Sequence, residues 1–513
     1  MNFDKLYKPG LVLLALLMFV VVGLSQRQLN GVRSELKLTR LDPLENAPPA
    51  LAFVTVALGG FRGLIANVLW MRASDLQQDE KFFEMVQLAD WITKLQPHFV
   101  TVWVHQAWNM AYNISVKFPE SKDRWLWVSR GIELLRDEGM RYNPEEPLLY
   151  RELAWFYQHK MGANLDQSHV YYKQMLQREM ARVIGPTRDG WRELLKPQTD
   201  DARDRAKILH DKLKLDLERM KKVDETFGPL EWRLPESHAI YWASFGLEKC
   251  IGNRARTNDI ITLRRVIYQS MQLAFQRGRL VENKLDKYFE FGPNLEIIPK
   301  ANFAYEQMMR EDATNRDHIS NGHRNFVIQV ITALYTHNRE ADAKKWLEYL
   351  AAKYPDFLRQ QYPHAVKNGL NLDEFVLPRV AEMLDGGRDK TKSLLEGFLQ
   401  RSFYSLAIDE DDESVALERM ARKTWDRYQV KIANADAGRV DLPPYLEIKR
   451  TVLDRILDEK SGGSPLLKAQ LRTKLGMPAP TNTPPETVKI PLAPRTTNAP
   501  PAATNPPPTA PKK

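Results

Sequence analysis

The chain has 513 residues, more than one hydrophobic core normally organises, so its length predicts several domains or an extended repeat array. An apolar content of 43% and a charged content of 27% are typical of a folded body and exclude a multi-span membrane protein. The net charge of +9 is the small difference between 74 basic and 65 acidic side chains, and because no Lys/Arg block lacks neighbouring acids, we expect no nucleic-acid partner.

The N-terminal region contains the one long apolar run of the sequence, Leu11–Leu24. With one residue added at each end, this run reaches the lower limit of the roughly 17–25 residues that cross a bilayer as a helix. Because no A-x-A-like cleavage site follows, we interpret residues 11–25 as an uncleaved transmembrane helix rather than a signal peptide. The short flank at residues 1–10 then favours a single-pass protein whose large domain lies on the translocated side, periplasmic or extracellular. Residues 26–60 are predicted to be a linker.

Further along, one phrase occurs twice, as PHFVTVWVHQAW at residues 97–108 and as PEEPLLYRELAW at residues 144–155. In both copies a proline is followed at +6 by a large aromatic residue and at +10 and +11 by alanine and tryptophan. The residues at these positions are Trp103, Ala107 and Trp108 in the first copy and Tyr150, Ala154 and Trp155 in the second. The repetition indicates one structural unit written twice, in which the +6 aromatics pack in the interior rather than form a substrate platform.

The segment at residues 324–357 has the clearest helical periodicity, with apolar residues recurring at intervals of three and four. One predicted helix presents Phe326, Val327, Val330, Ile331, Leu334 and Tyr335 on a single face. After a turn at HNRE, a second helix presents Ala343, Trp346, Leu347 and Leu350, and Pro355 ends it. A hairpin of this kind cannot bury both apolar stripes by itself, so the sequence predicts neighbouring hairpins.

These features resemble the tetratricopeptide repeat (TPR) family. That family's 34-residue unit carries an early aromatic in its first helix, then a leucine–small pair and a second aromatic, and a proline closes the unit. The matching residues after Pro144 are Tyr150, Leu153, Ala154 and Tyr157. The matching residues elsewhere are Ala343, Leu347 and Pro355, with Tyr241, six residues after Pro235, as a weaker echo.

The resemblance implies hairpins that stack side by side, with small side chains where helices cross and aromatic side chains in the grooves between them. The interval from Pro97 to Pro144 is 47 residues rather than 34, so the stack is expected to be irregular. The fold class predicted is therefore all-α, an irregular superhelical stack of TPR-like hairpins with one N-terminal transmembrane helix. The predicted regions after the linker are hairpins at 61–185, a charged helical insert at 186–234, hairpins at 235–360, a helical C-terminal cap at 361–477 and a disordered Pro/Thr-rich tail at 478–513.

No catalytic or metal-binding motif is recognisable in the sequence. The single cysteine, Cys250, excludes an internal disulfide and paired-cysteine zinc sites. The nearest pair of histidines, His318 and His323, is five residues apart and so does not share a helical face. The acidic run Asp409–Glu413 lacks the alternating ligands and glycine of an EF-hand loop and is interpreted as a solvated turn. The sequence therefore predicts no enzyme, no cofactor and no bound metal.

The leading hypothesis for function is a membrane-anchored helical-repeat protein that mediates protein–protein interaction, as a scaffold or assembly factor of an envelope complex. Its partners would be membrane or envelope proteins, together with the lipid bilayer through residues 11–25. The alternative is a glycan-acting enzyme in an (α/α) helical fold, with tryptophans lining a sugar groove beside paired carboxylates. A third hypothesis is binding to an anionic polymer or lipid surface through the basic excess. The sequence leaves the oligomeric state open.

Overall fold

The computed structural model describes residues 61–250, 257–283, 288–362, 370–380, 387–432, 442–458 and 464–478, together with scattered positions between residues 14 and 32. Within these ranges the chain is mostly helical, as predicted for an all-α protein. The strands in this part of the chain are β1 (Arg279–Asn283) and β2 (Tyr288–Gly292), which pair antiparallel with Arg279 opposite Gly292 and Asn283 opposite Tyr288.

The first six α-helices contain both copies of the repeated phrase. They are α1 (Phe61–Gln78), α2 (Phe82–Leu95), α3 (Val100–Trp108), α4 (Ser121–Glu133), α5 (Pro147–Trp155) and α6 (His169–Ile184). Three of them continue directly into wider π-helical turns, at Asn109–Ile114 after α3, Leu134–Gly139 after α4 and Phe156–Gly162 after α5. A 3₁₀ turn at Ser115–Lys117 and a last α-turn at Met140–Tyr142 complete the first two of these extensions.

The remaining helices follow with short connections. They are the 3₁₀ helix Gly190–Leu195, α7 (Asp200–Asp211), α8 (Leu217–Phe227), α9 (Pro235–Cys250), α10 (Thr257–Arg277), the 3₁₀ helix Leu295–Ile297, α11 (Ile298–Glu311), α12 (Arg316–Thr336), α13 (Glu340–Lys353), α14 (Pro355–Gln361), α15 (Leu372–Val380), α16 (Gly387–Ala407), α17 (Asp411–Ile432), α18 (Tyr445–Leu457) and α19 (Pro465–Lys474). Prolines mark several helix starts, since a proline in the first turn lacks only an N–H that the helix does not use. Pro355 follows the end of α13 and opens α14.

Helices that are consecutive along the chain pack against each other in pairs, α1 with α2, α9 with α10, α12 with α13, and α16 with α17. The apolar stripes predicted for the hairpin at 324–357 are buried, from Phe326 to Tyr335 in α12 and at Ala343, Leu347 and Leu350 in α13. One continuous hydrophobic core runs from Trp103 in α3 to Leu471 in α19. The core therefore extends along the chain instead of closing on itself within one hairpin.

The predicted membrane anchor is wrong, and with it the predicted single-pass membrane location. Within the described residues no helix is both long enough and apolar enough to cross a bilayer. Of the predicted span 11–25, the structure describes Leu14, Leu17, Met18 and residues 20–25. The run Leu11–Leu24 gives about 21 Å of helix at 1.5 Å per residue, which is short of the roughly 30 Å of a hydrocarbon core.

The charged insert predicted at 186–234 is mainly helical over Asp200–Phe227. It forms two helices, α7 and α8, because Asp216 starts the second by accepting a hydrogen bond from the Arg219 N–H at 2.7 Å. Leu209 and Met220 are buried, so both helices pack on the core through their thin apolar stripes. Of the predicted tail at 478–513, everything after residue 478 lies outside the described residues.

Candidate functional site

The two copies of the repeated phrase make the same buried hydrogen bond. Trp103 Nε1 donates to the carbonyl oxygen of Pro97 at 2.8 Å, and the Tyr150 hydroxyl donates to that of Pro144 at 2.8 Å. Both side chains are almost fully buried. The proline at the start of each copy is therefore fixed to the aromatic residue six positions later, which belongs to the helix that the proline precedes.

Apart from Pro355, which is exposed at the start of α14, the other predicted repeat positions divide into an interior set and an outer set. Buried in the interior are Ala107, Leu153, Ala154, Tyr157, Tyr241, Ala343 and Leu347. Tyr241 departs from the pattern of Trp103 and Tyr150, because its hydroxyl accepts a hydrogen bond from the Asp216 N–H at 2.9 Å instead of donating to a proline carbonyl. Trp108 and Trp155 form the outer set, with Trp108 38% exposed and Trp155 half-buried.

Small residues allow close contacts between helices. A Cβ atom on Gly131 in α4 would lie 2.9 Å from the carbonyl oxygen of Ala107 in α3. A Cβ atom on Gly246 in α9 would lie 2.8 Å from the Tyr150 Cβ and 3.0 Å from a Leu263 methyl group. Any larger residue at these two positions would force the helices apart.

Equivalent residues of the two copies contact each other across an interval of 47 residues. Tyr112 and His159, each fifteen residues after its proline, are joined by a 3.1 Å hydrogen bond between the Tyr112 hydroxyl and His159 Nδ1. The Ser121 and Ser168 hydroxyls are 2.9 Å apart, and the Trp125 and Tyr172 rings lie 6.0 Å apart. Each outer tryptophan also stacks on the ring four residues later, Trp108 on Tyr112 with centroids 4.0 Å apart and Trp155 on His159 at 4.6 Å.

A cleft of about 370 Å³ opens where the π-helical turns after α3 and α5 meet. Its lining residues are Tyr112, Val116, Arg124, His159, Lys160, Leu165, Asp166 and Gln167. Two apolar side chains form an exposed rim, Val116 at 46% and Leu165 at 74% exposure. The floor is polar and largely buried. Such widened turns are frequent at functional sites, because they redirect side chains out of the regular helical pattern.

Asp166 is the centre of the polar floor. Its carboxylate accepts hydrogen bonds from Lys160 Nζ at 2.5 Å, Arg124 Nη1 at 3.3 Å, the Ser168 N–H at 2.8 Å and the Tyr172 hydroxyl at 3.3 Å. Burial alone would raise the pKa of the Asp166 carboxyl, but these donors and the two positive charges outweigh it and lower that pKa. Asp166 is therefore ionised at neutral pH.

The cleft has a net positive charge at neutral pH. Burial lowers the pKa of Lys160, although its ion pair with Asp166 opposes the shift. Burial and the nearby Lys160 charge lower the pKa of His159, which keeps its imidazole neutral. Arg124 and Lys160 are thus opposed by the single carboxylate of Asp166, and one positive charge remains to attract an acidic group.

The cleft lacks the arrangement that glycoside hydrolysis requires. That chemistry needs two carboxyl groups on opposite sides of a sugar, and the lining holds Asp166 alone, already engaged by two cations. Among the described residues, no group of three or more His, Cys, Asp or Glu side chains is placed to hold a metal ion. The cleft combines an apolar rim with a few fixed polar groups, a combination that ligand-binding clefts share.

A second cleft, of about 510 Å³, lies between the β-hairpin and the start of α17. Two arginine–glutamate pairs lie in its lining, Arg188 with Glu296 at 2.9 Å and Arg279 with Glu410 through two bonds of 2.9 Å each. Of the acidic run expected to be a solvated turn, Asp409 and Asp411 bind Lys474 at 2.9 and 3.2 Å. This cleft therefore has no excess of positive charge, because five carboxylates and four guanidinium groups line it.

No protein-family profile, no curated protein and no solved structure matches this chain.

Of the predicted repeat positions, the structure brings Trp108 and Trp155 to the edge of the first cleft through their stacking on Tyr112 and His159. The sequence pattern did not identify the rings of Tyr112 and His159, or the side chains of Lys160 and Asp166, as part of this cleft. A signal for the rings was present, since both lie fifteen residues after the proline of their copy.

Proposed function

We propose that this chain is a TPR-like helical-repeat protein whose stacked hairpins bind another protein. The observation that supports the proposal best is the contact of Tyr112 with His159 and of Ser121 with Ser168, each pair 47 residues apart. In a stack of repeats, every residue lies beside its counterpart in the next copy. An envelope location depended on the membrane anchor and is not part of the proposal.

The binding surface that we propose is the cleft between the two copies. Val116 and Leu165 offer exposed apolar contacts on its rim, and Arg124 and Lys160 outnumber the carboxylate of Asp166 on its floor. The matching partner is a protein segment that places an acidic side chain between apolar ones. Apolar anchors supply most of the affinity of such contacts, and the charge selects the partner and its orientation.

The test replaces both rim residues in the full chain, as Val116→Asp with Leu165→Asp, and uses Val430→Asp as the matched control. Val430 is an apolar side chain of α17 that is 69% exposed and distant in sequence from the cleft. Tagged wild-type, double variant and control are used to capture partners from a lysate of the cells that encode the protein. We expect a partner that co-purifies with the wild-type and the control but not with the double variant, while all three give the same far-ultraviolet circular dichroism. Capture of the same proteins by all three would refute the cleft as the binding surface.

A further inference from the structure

A second cluster of cationic side chains lies beyond the loop at residues 163–168, outside the cleft. Lys173 in α6 is only 3% exposed, yet its Nζ donates to two uncharged acceptors, Asn164 Oδ1 at 3.0 Å and His169 Nδ1 at 3.0 Å. Among the side chains that the structure describes, which do not include those of residues 282–290, no carboxylate lies within ion-pair distance of this ammonium group. A buried charge without a partner of opposite charge is energetically costly, and the described side chains around Lys173 supply no such partner at ion-pair distance.

Arg277, the last residue of α10, reaches the same point from the other side. Its Nε donates to Glu236 Oε1 at 2.7 Å, and its Nη1 approaches Asn164 Oδ1 at 3.5 Å. Its Nη2 is buried and has no hydrogen-bond partner in the described part of the chain. Two cationic side chains therefore converge on one neutral amide oxygen, and guanidinium donors remain unused.

The charges of the cluster do not balance. Among the described side chains, Lys173 and Arg277 are opposed by Glu236, and one positive charge remains. His169 adds none, because burial and the Lys173 charge lower its pKa. Burial, together with the positive charge of Arg277, lowers the pKa of Lys173 to about 8. The ammonium group is thus destabilised in the place where an added negative charge would stabilise it.

We propose that Lys173 and Arg277 form a binding site for a small oxyanion, a phosphate or a carboxylate, which takes the place of the Asn164 side-chain amide. Asn164 is exposed on its loop, so its side chain can leave without opening the core. Oxyanion oxygens then accept hydrogen bonds from Lys173 Nζ and from both terminal nitrogens of Arg277, the paired geometry that a guanidinium group provides. The site shares the loop at residues 163–168 with the proposed protein-binding cleft but uses side chains that do not line the cleft.

The experiment titrates the full chain with sodium phosphate, and separately with sodium acetate, by isothermal titration calorimetry, with sodium chloride holding the ionic strength constant. We expect saturable binding of at least one of the two oxyanions to the wild-type. Lys173→Met should weaken the binding roughly tenfold or more, because it removes a charged donor. Asn164→Ala, a surface change that leaves the core intact, should strengthen the binding roughly threefold, because it removes the competing acceptor.

Lys212→Met is the control, since Lys212 is an exposed lysine that pairs with Glu179 and should leave oxyanion binding unchanged. A second variant, Arg277→Lys, keeps the charge beside Glu236 but lacks the forked donors, and should weaken binding even if Lys173→Met does not fold. Tighter binding of phosphate than of acetate would assign the site to phosphate groups, and the reverse order would assign it to carboxylates. The proposal is overturned if neither anion binds saturably, or if Asn164→Ala and Arg277→Lys bind as the wild-type does.

Discussion

At the scale of single residues, the aromatic side chains at the +6 positions combine burial with one directed hydrogen bond. Trp103 and Tyr150 differ in size, ring and hydrogen-bond donor, but each reaches back to the carbonyl oxygen of a proline at the same distance of 2.8 Å. Because a tryptophan and a tyrosine make the same contact, the two copies share a buried hydrogen-bond donor at this position and not a particular side chain. This hydrogen bond joins each helix to the turn that precedes it and so fixes the direction of the helix relative to that turn.

Replacing Tyr150 by Phe should destabilise the protein by about 1 kcal/mol, because the Pro144 carbonyl loses its buried donor while the packing is retained. Urea unfolding monitored by circular dichroism measures this change. Tyr171→Phe is the matched control, since the Tyr171 hydroxyl has no hydrogen-bond partner among the described residues, and it should change the free energy of unfolding by less than about 0.5 kcal/mol. Equal effects of the two substitutions would contradict the role assigned to the Tyr150 hydroxyl.

Buried histidines should make the protein less stable in mild acid. His323 is fully buried, with Nδ1 2.6 Å from the Tyr354 hydroxyl and Nε2 2.7 Å from Asn302 Oδ1, and burial lowers its pKa to about 4. The unfolded chain binds a proton at this residue near pH 6.5, whereas the folded chain does not until about pH 4. Stability is therefore complete above pH 6.5 and falls as the pH falls through this window.

His323→Gln should remove part of this pH dependence. Between pH 7 and pH 5 the wild-type should lose up to about 2 kcal/mol more of its free energy of unfolding than the variant does. His238, whose pKa burial also lowers to about 4, remains in the variant and accounts for a residual slope. Denaturant unfolding at the two pH values provides the measurement, and an unchanged difference in the variant would show that His323 is not the titrating group.

At the scale of helices, glycine determines how closely neighbouring elements approach. Gly246 in α9 faces Tyr150 of α5 and Leu263 of α10. The three helices approach closely at this point because glycine has no side chain. Gly131 has the same function between α4 and α3. Small residues at helix crossings let the bulky side chains on either side interdigitate.

Gly246→Ala should destabilise the protein by about 1–3 kcal/mol, because the new Cβ would lie 2.8 Å from the Tyr150 Cβ. Gly397→Ala is a suitable control, since Gly397 lies within helix α16 and a Cβ there meets no atom within 4 Å. Alanine is a better helix former than glycine, so the control should be stabilised by about 0.5–1 kcal/mol. Differential scanning calorimetry compares the two variants, and destabilisation of both to the same extent would show that helix crossing is not the cause.

The helices themselves were predictable, because their information is local. The spacing of Phe326, Val330 and Leu334 predicts the buried face of α12, and the position of Pro355 predicts the boundary after α13. The apolar run Leu11–Leu24 led to the wrong prediction of a membrane anchor. Its composition resembles that of a membrane-spanning helix, but the run is too short to cross the hydrocarbon core. Pattern alone does not show whether a short apolar stretch crosses a bilayer.

The candidate cleft was not predictable in the same way. Tyr112 and His159 lie 47 residues apart, and Asp166 lies in a loop where no helical periodicity distinguishes it. Their convergence depends on two π-helical turns that redirect the side chains, and nothing in the sequence pattern marks where a helix widens. Contacts between copies become visible only when the copies are placed side by side.

At the scale of the whole molecule, one hydrophobic core joins residues from Trp103 to Leu471, and equivalent residues of the two copies contact each other. The proposed stack of repeats would present a long surface suited to an extended protein segment. The two clefts differ in charge, since the one beside the β-hairpin has more carboxylates than guanidinium groups in its lining and the one between the copies keeps a positive excess. We therefore predict one principal contact region, on the rim at Val116 and Leu165.

Site-specific photo-cross-linking tests this claim most directly. The photoreactive residue p-benzoylphenylalanine is placed at Leu165 on the cleft rim, or at Val430 as the control, in full-length protein expressed in the cells that encode it. Irradiation at Leu165 should give a discrete adduct with a second protein that the Val430 probe does not give, because a bound segment lies over the rim. No adduct at Leu165, or the same adduct from both positions, would contradict a protein-binding cleft between the two copies.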